Sequence, residues 1–173
     1  MKDFDVVNVP LSSSNLIEAS AGTGKTFSIS ILILRFIIEK GYLPHQLLLV
    51  TFTNSAVAEI DGRVRDLLQL SYRIASSELN DLHDDLVYKL IKRASKVHTE
   101  EEILRRLKLA ILAIDDAWIC TIHSFCQRIL SEYSFETNQM FGVGFVTSEQ
   151  EMKDKVVHQF WRKEIVSLPK SIL

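Results

Sequence analysis

The sequence predicts an α/β fold, a parallel sheet flanked by helices, on three observations. A glycine-rich run, Ala19-Ser20-Ala21-Gly22-Thr23-Gly24-Lys25-Thr26, separates a short apolar pair (Leu16, Ile17) from a long segment with apolar residues at helical spacing. Leu47-Leu48-Leu49-Val50 is an unbroken apolar run, the pattern of a strand buried on both faces of a parallel sheet. Strand, loop, helix and strand then follow in the order of one βαβ unit.

Taken in order, Asn15 to Ala19 is the expected first strand. Lys25 to Lys40 is the first helix, with Phe27, Ile31, Leu34 and Ile38 on one face and Gly41 and Pro44 as its stop. After the second strand, Thr53 or Ser55 caps a helix whose inner face is Val57, Ile60, Val64, Leu67 and Leu68. Two more helical segments are expected between about Tyr72 and Ile114, broken near Ser95 to Thr99. Leu109 to Asp116 imitates an apolar strand ending in carboxylates. Ile103, Leu104, Leu107, Ile111 and Ile114 recur at helical spacing, however, so a helix is expected there, with Asp115 and Asp116 on the surface near its end. Ala117 to Thr121 is the third strand, and a helix from Ser124 to about Glu132 follows. Met140 to Val146 reads as loop or short strand, and Ser148 with Glu151 forms a capping box for a last helix reaching Lys163.

Composition narrows the function. With 47% hydrophobic and 24% charged residues the chain of 173 can build a core. A net charge of −2 argues against holding nucleic acid by bulk electrostatics, so any such contact is local. The acidic start Met1-Lys2-Asp3-Phe4-Asp5 is not a signal peptide, and the apolar stretch Ile29 to Ile38 is too short to span a bilayer; a cytoplasmic protein is expected, since its two cysteines fit a reducing cytosol. Cys120 and Cys126 provide no disulfide framework. They flank His123, but three ligands without a zinc-type pair make a weak metal site, and none is expected.

The glycine-rich run carries the chemistry. Glycines let the backbone curl so that several N–H groups converge on an anion, and the helix that follows presents its positive end to it. Lys25 then reaches the outer phosphates of a nucleotide and the Thr26 hydroxyl ligates Mg²⁺. Ala19 stands where the pattern usually opens with glycine, while Gly-x-Gly-Lys-Thr is intact. The nucleotide-binding residues are therefore Ala19, Ser20, Ala21, Gly22, Thr23, Gly24, Lys25 and Thr26. Two further blocks lie at strand ends: Val50-Thr51-Phe52-Thr53-Asn54, with Ala58-Glu59 and Arg63 on the helix behind it, and Thr121-Ile122-His123-Ser124-Phe125-Cys126-Gln127-Arg128. By residue type alone, Phe52 reads as core, Thr53 as a helix cap and His123 as a structural histidine. Lys89, Lys92, Arg93, Lys96, Arg105, Arg106 and Lys108 are interleaved with acids and read as solvated helix faces. Arg128 is explained equally by a solvated face and by a contact role.

In that order the three blocks resemble the phosphate loop, motif Ia and motif Ib of superfamily 1 DNA helicases of the UvrD type, over nearly the whole chain. Phe160-Trp161-Arg162, followed by Leu168-Pro169, is similar to the branch of that family found in exodeoxyribonuclease V, and the alanine-started loop fits the same branch. The resemblance implies a P-loop NTPase (RecA-like) sheet in an incomplete motor domain. Residues 1–136 would be part of domain 1A with a helical insertion at about 73–114, and 137–173 the start of accessory domain 1B. It implies ATP and Mg²⁺ as cofactors, Lys25 and Thr26 as catalytic residues, and Phe52, Thr53, Asn54, His123 and Ser124 as contacts to single-stranded DNA. It also implies ATP-driven 3′→5′ unwinding of DNA ends in double-strand-break repair, with RecC-like and RecD-like subunits and a nuclease domain elsewhere in the polypeptide. An AddA-like nuclease-helicase, another UvrD-type helicase and a stand-alone nucleotide-binding module remain alternatives. The chain holds no Asp-Glu-x-x-Asp and no glutamine among residues 1–18, so the acidic half of an ATPase site and an adenine-reading glutamine are missing. A piece of a longer polypeptide, inactive in hydrolysis and unwinding by itself, is the expectation.

Overall fold

The computed structural model describes residues 4–12, 14–20, 22–76, 85–134, 136 and 150–165. It divides into two compact units, Met1–Phe125 and Cys126–Leu173.

In the first unit, α1 (Lys25–Lys40) has the predicted bounds. Gly41 ends it in the left-handed region, at φ 74°, donating its N–H to the Ile37 carbonyl while Tyr42 donates to Phe36. Those two bonds satisfy carbonyls that a helix end otherwise leaves open. After a 3₁₀ turn at Pro44–Gln46 comes β1 (Leu48–Thr51), then α2 (Asn54–Ala75). Thr53 caps α2, its hydroxyl oxygen accepting from the Ala56 N–H at 3.2 Å. α3 (Asp85–Ala94) and α4 (Glu100–Leu112) follow, separated at the predicted break, and Thr99 caps α4 through the Glu102 N–H. A 3₁₀ turn at Ile114–Asp116 leads to β2 (Trp118–Thr121), and α5 (Ile122–Glu132) leaves directly from its end. Asp115 is on the surface, as expected, in an ion pair with Arg65.

β1 and β2 pair in parallel, Leu48 beside Trp118 and Thr51 beside Thr121. Two sequence expectations fail here. Among the described residues Asn15 to Ala19 pairs with no strand and is irregular; Leu16, 88% exposed, lacks the burial that would hold it in a sheet. β1 is buried on one face only. Leu49 packs against the core beside Ile119, whereas Leu48 and Val50 alternate outward and are exposed, because none of the described helices covers that side.

The core is one cluster drawn from α1, α2, α3 and α4, including Ile31, Leu34, Ile38, Val64, Leu68, Val87, Leu90, Ile103 and Leu107. Each such side chain is worth roughly 1.5–3 kcal/mol of burial. α3 and α4 thus share the core of α1 and α2. Phe27, expected on the inner face of α1, is half-exposed, and Ile33 and Ile37 are buried instead.

Two arginines, Arg93 and Arg106, depart from the solvated faces that charge patterning suggests, and a third, Arg35, is buried within α1. Arg35, in the apolar run of α1, is 1% exposed. Its guanidinium donates to the Val6 and Val9 carbonyls at 2.8 and 2.9 Å and to Glu39, four residues on, at 2.8 Å. Arg93 on α3 donates to the Val7 carbonyl and to the Asn8 side chain. Arg106 on α4 donates to the Ile38 carbonyl at 2.7 Å, while the ring nitrogens of His98 lie 3.0 Å from the Glu39 carbonyl and 3.5 Å from Arg106. Arg93 and Arg106 are therefore ties between helices and backbone. A planar guanidinium has five donors, so one side chain can close several orphan carbonyls.

In the second unit, α5 continues through Glu132, and α6 (Gln150–Phe160) runs into a π turn at Trp161–Ile165. The last helix was expected to reach Lys163; its α-helical part stops three residues earlier. Met152, Val156, Val157, Phe160 and Trp161 are all exposed. The expectations for Met140 to Val146, Ser148 and Leu168-Pro169 lie outside the described residues.

Candidate functional site

The phosphate loop is built by two left-handed glycines, Gly22 at φ 78° and Gly24 at φ 86°. Only glycine adopts that conformation without strain, so the pattern is readable as backbone geometry. Gly24 is also the first residue outside α1; no side chain caps this helix, and no acidic residue stands in its first turn. The first N–H groups of a helix have no internal acceptor. Here they are left for an external anion, at the positive end of the helix dipole.

Lys25 lies at the start of α1 with its ammonium turned back onto the loop. Nζ donates to the Ala19 carbonyl at 2.9 Å and to the Ser20 carbonyl at 2.6 Å. The Thr23 hydroxyl donates to the same Ser20 carbonyl at 2.8 Å. These bonds hold the loop curled and leave one of the three ammonium donors for a phosphate. Ala19, Ser20, Gly22, Thr23, Gly24 and Lys25 are exposed, and Thr26 is half-buried, with its carbonyl accepting from Ser30. Ala21 lies outside the described residues. Thr26, the residue expected to ligate Mg²⁺, stands on the first turn of α1.

The two other blocks come together through the sheet. Because β1 and β2 are parallel and in register to Thr51 and Thr121, Phe52 and Thr53 emerge beside Ile122 and His123 at the same strand ends. Open α/β sheets place ligands at that end. Phe52 is 81% exposed, so it is no core residue. Asn54 opens α2 and is exposed. Thr53 is indeed a cap, but a hydroxyl that accepts from Ala56 keeps its own proton to donate. His123 and Ser124 are exposed on the first turn of α5, and the Ser124 and Thr121 hydroxyls are 2.9 Å apart. Trp118 meets the Phe125 ring edge-on at 6.2 Å, which seats the start of α5 against β2. Cys120, His123 and Cys126 belong to no group of three or more metal-ligating side chains, and the described residues hold none. Arg128 is exposed on α5.

Residue patterning missed Arg35. The available signal was an arginine inside an apolar helical run with a glutamate four residues on, an ion pair that can be taken into a core.

A phosphate-loop α/β unit with paired strand-end loops is the class these features define. The chain belongs to the UvrD/REP helicase N-terminal domain family, which it matches over residues 2–172. It is similar to the RecBCD enzyme subunit RecB of Buchnera aphidicola from Acyrthosiphon pisum, with 34% identity over 98% of this chain and 15% of that protein. It is similar also to the same subunit of Escherichia coli, at 35% over 98% of the chain and 15% of the relative, and of Haemophilus influenzae, at 30% over 94% and 14%. The chain thus spans about one seventh of the length of these relatives.

Proposed function

We propose that this chain is the N-terminal ATP- and single-strand-binding part of a RecB-like helicase-exonuclease subunit, an exodeoxyribonuclease V beta chain that acts in recombinational repair of double-strand breaks. The whole protein would unwind DNA ends 3′→5′ with ATP and Mg²⁺, assembled with RecC-like and RecD-like subunits in the cytoplasm. No helix among the described residues is long and apolar enough to cross a membrane. Residues 1–136 serve as part of motor domain 1A, with the helices at about 73–114 as its insertion, and 137–173 begin domain 1B.

In this reading the Gly22–Lys25 backbone and Ala19–Ser20 cradle the phosphates, and Lys25 stabilises the charge that develops during transfer. Thr26 holds Mg²⁺. Phe52 stacks on a base while Thr53, Asn54, His123 and Ser124 hold the strand's backbone. The observation that carries it is the meeting of Phe52-Thr53 and His123-Ser124 at adjoining ends of paired parallel strands, within the unit that contains the phosphate loop.

The test is fluorescence anisotropy with a labelled oligothymidylate. Phe52→Ala should weaken binding about tenfold, the loss of one base stack, with thermal stability unchanged because the ring is exposed. Equal binding by the variant and by His123→Ala would refute the DNA interface.

A further inference from the structure

Thr51 and Thr121 are register partners at the ends of β1 and β2. Side chains alternate along a strand, so both fall on the face that carries Leu49 and Ile119, the side packed against the core. Valine has nearly the same shape and suits such a face, so what distinguishes these two positions is a hydroxyl. Each hydroxyl turns onto the chain leaving its own strand. Thr51 Oγ1 accepts from the Thr53 N–H at 3.2 Å and donates to the Thr53 carbonyl at 3.0 Å, closing a tight turn with Phe52 at its centre. Thr121 Oγ1 accepts from the Ser124 N–H at 3.2 Å and lies 2.9 Å from the Ser124 hydroxyl. We infer that Thr51 and Thr121 are positioning residues of the single-strand interface, holding Phe52 and Ser124 in the geometry that binds; the inference rests on the DNA reading above.

Two observations support the assignment. Phe52 is 81% exposed, so little packing fixes its ring, and the backbone of the turn sets the direction of its side chain. Ordering a loose side chain on binding costs affinity, and a turn already closed by Thr51 removes part of that cost. At the end of β2 the paired hydroxyls set the direction of a proton. A phosphate offers acceptors only, so when Ser124 binds one, Thr121 donates to Ser124 Oγ and the Ser124 proton points outward. Thr121 is itself buried, so it acts through Ser124.

Anisotropy with labelled oligothymidylate tests the role. Thr51→Val and Thr121→Val should each weaken binding about fivefold, the worth of one hydrogen bond. Thr51→Ser and Thr121→Ser keep the hydroxyl and should bind as the unaltered chain does. Double-mutant cycles separate positioning from general loosening of the fold. Thr51→Val added to Phe52→Ala, and Thr121→Val added to Ser124→Ala, should cost nothing beyond Phe52→Ala or Ser124→Ala alone. If the valine variants bind normally, if serine fails to rescue, or if the effects add, the positioning role is overturned while the DNA reading stands. Should Thr121→Val fail to fold by circular dichroism, the Thr51 cycle and the Thr121→Ser affinity decide. If Phe52→Ala and Ser124→Ala themselves bind as the unaltered chain does, the DNA reading falls and this inference falls with it.

Discussion

Substitution of Gly41 tests two constraints at one residue. Its φ of 74° is left-handed, and a Cβ there would meet the Arg106 guanidinium carbon at 3.2 Å. The conformation alone costs a non-glycine residue about 1 kcal/mol, and displacing Arg106 would uncover the Ile38 carbonyl. Gly41→Ala should therefore lower unfolding free energy by about 2 kcal/mol in a urea titration. Glu102 supplies a pH test. Hydrogen bonds from Arg105 and then Arg106 lower its carboxyl from 4.5 to about 2. Because the folded value is the depressed one, its contribution is complete above about pH 4.5 and is lost as pH falls toward 2. Glu102→Gln should be less stable at neutral pH and show a flatter acid limb in circular dichroism. An unaltered acid limb would contradict the assignment.

At the scale of elements, the ends of helices decide where the site residues sit. Thr53 both starts α2 and stands beside Phe52, so Thr53→Ala should cost about 1 kcal/mol of stability as well as weakening DNA binding. Thr53→Ser should restore both, by denaturation and anisotropy. Arg35 ties the front of the chain to α1. Arg35→Met would leave two carbonyls without their donor and Glu39 with only Arg93, 3.8 Å away, at a cost of about 3 kcal/mol, because one partner of a nearly buried pair is removed. Thermal melting would show the loss. A neutral result would mean that the Val6–Val9 segment is held by other contacts.

For the whole molecule, the proposed reading gives half of an ATPase site and predicts binding without turnover. In the proposed reading the loop would supply the phosphate cradle, but no Asp-Glu-x-x-Asp is present to hold Mg²⁺ and orient water, and such motors close a second domain over the nucleotide. The purified chain should bind ATP weakly, release no phosphate above background, and fail to separate a duplex in a strand-displacement assay. ATP turnover that survives Lys25→Ala would come from a contaminant; turnover abolished by Lys25→Ala would overturn the prediction.

Local patterns were legible wherever the cause is local. The glycine turn, the bounds of α1, the Thr53 cap, the break before α4 and the surface placement of Asp115 follow from glycine geometry, helical period and capping chemistry, all properties of neighbours in the chain. The tertiary structure decided what depends on partners distant in sequence. An apolar run does not reveal how many of its faces are covered, so Leu48 and Val50 turned outward and Asn15 to Ala19 found no ladder among the described residues. A basic residue does not reveal whether a carbonyl waits across the fold, so Arg35, Arg93 and Arg106 became ties. The parallel register that brings Phe52 beside His123 was equally beyond the sequence, since it joins segments about seventy residues apart. The sequence by itself determined the glycine turn at the start of α1, because a turn of this kind is written in consecutive residues. Only the fold determined that Phe52 and His123 stand at adjoining strand ends, because that depends on pairing between segments distant in the chain.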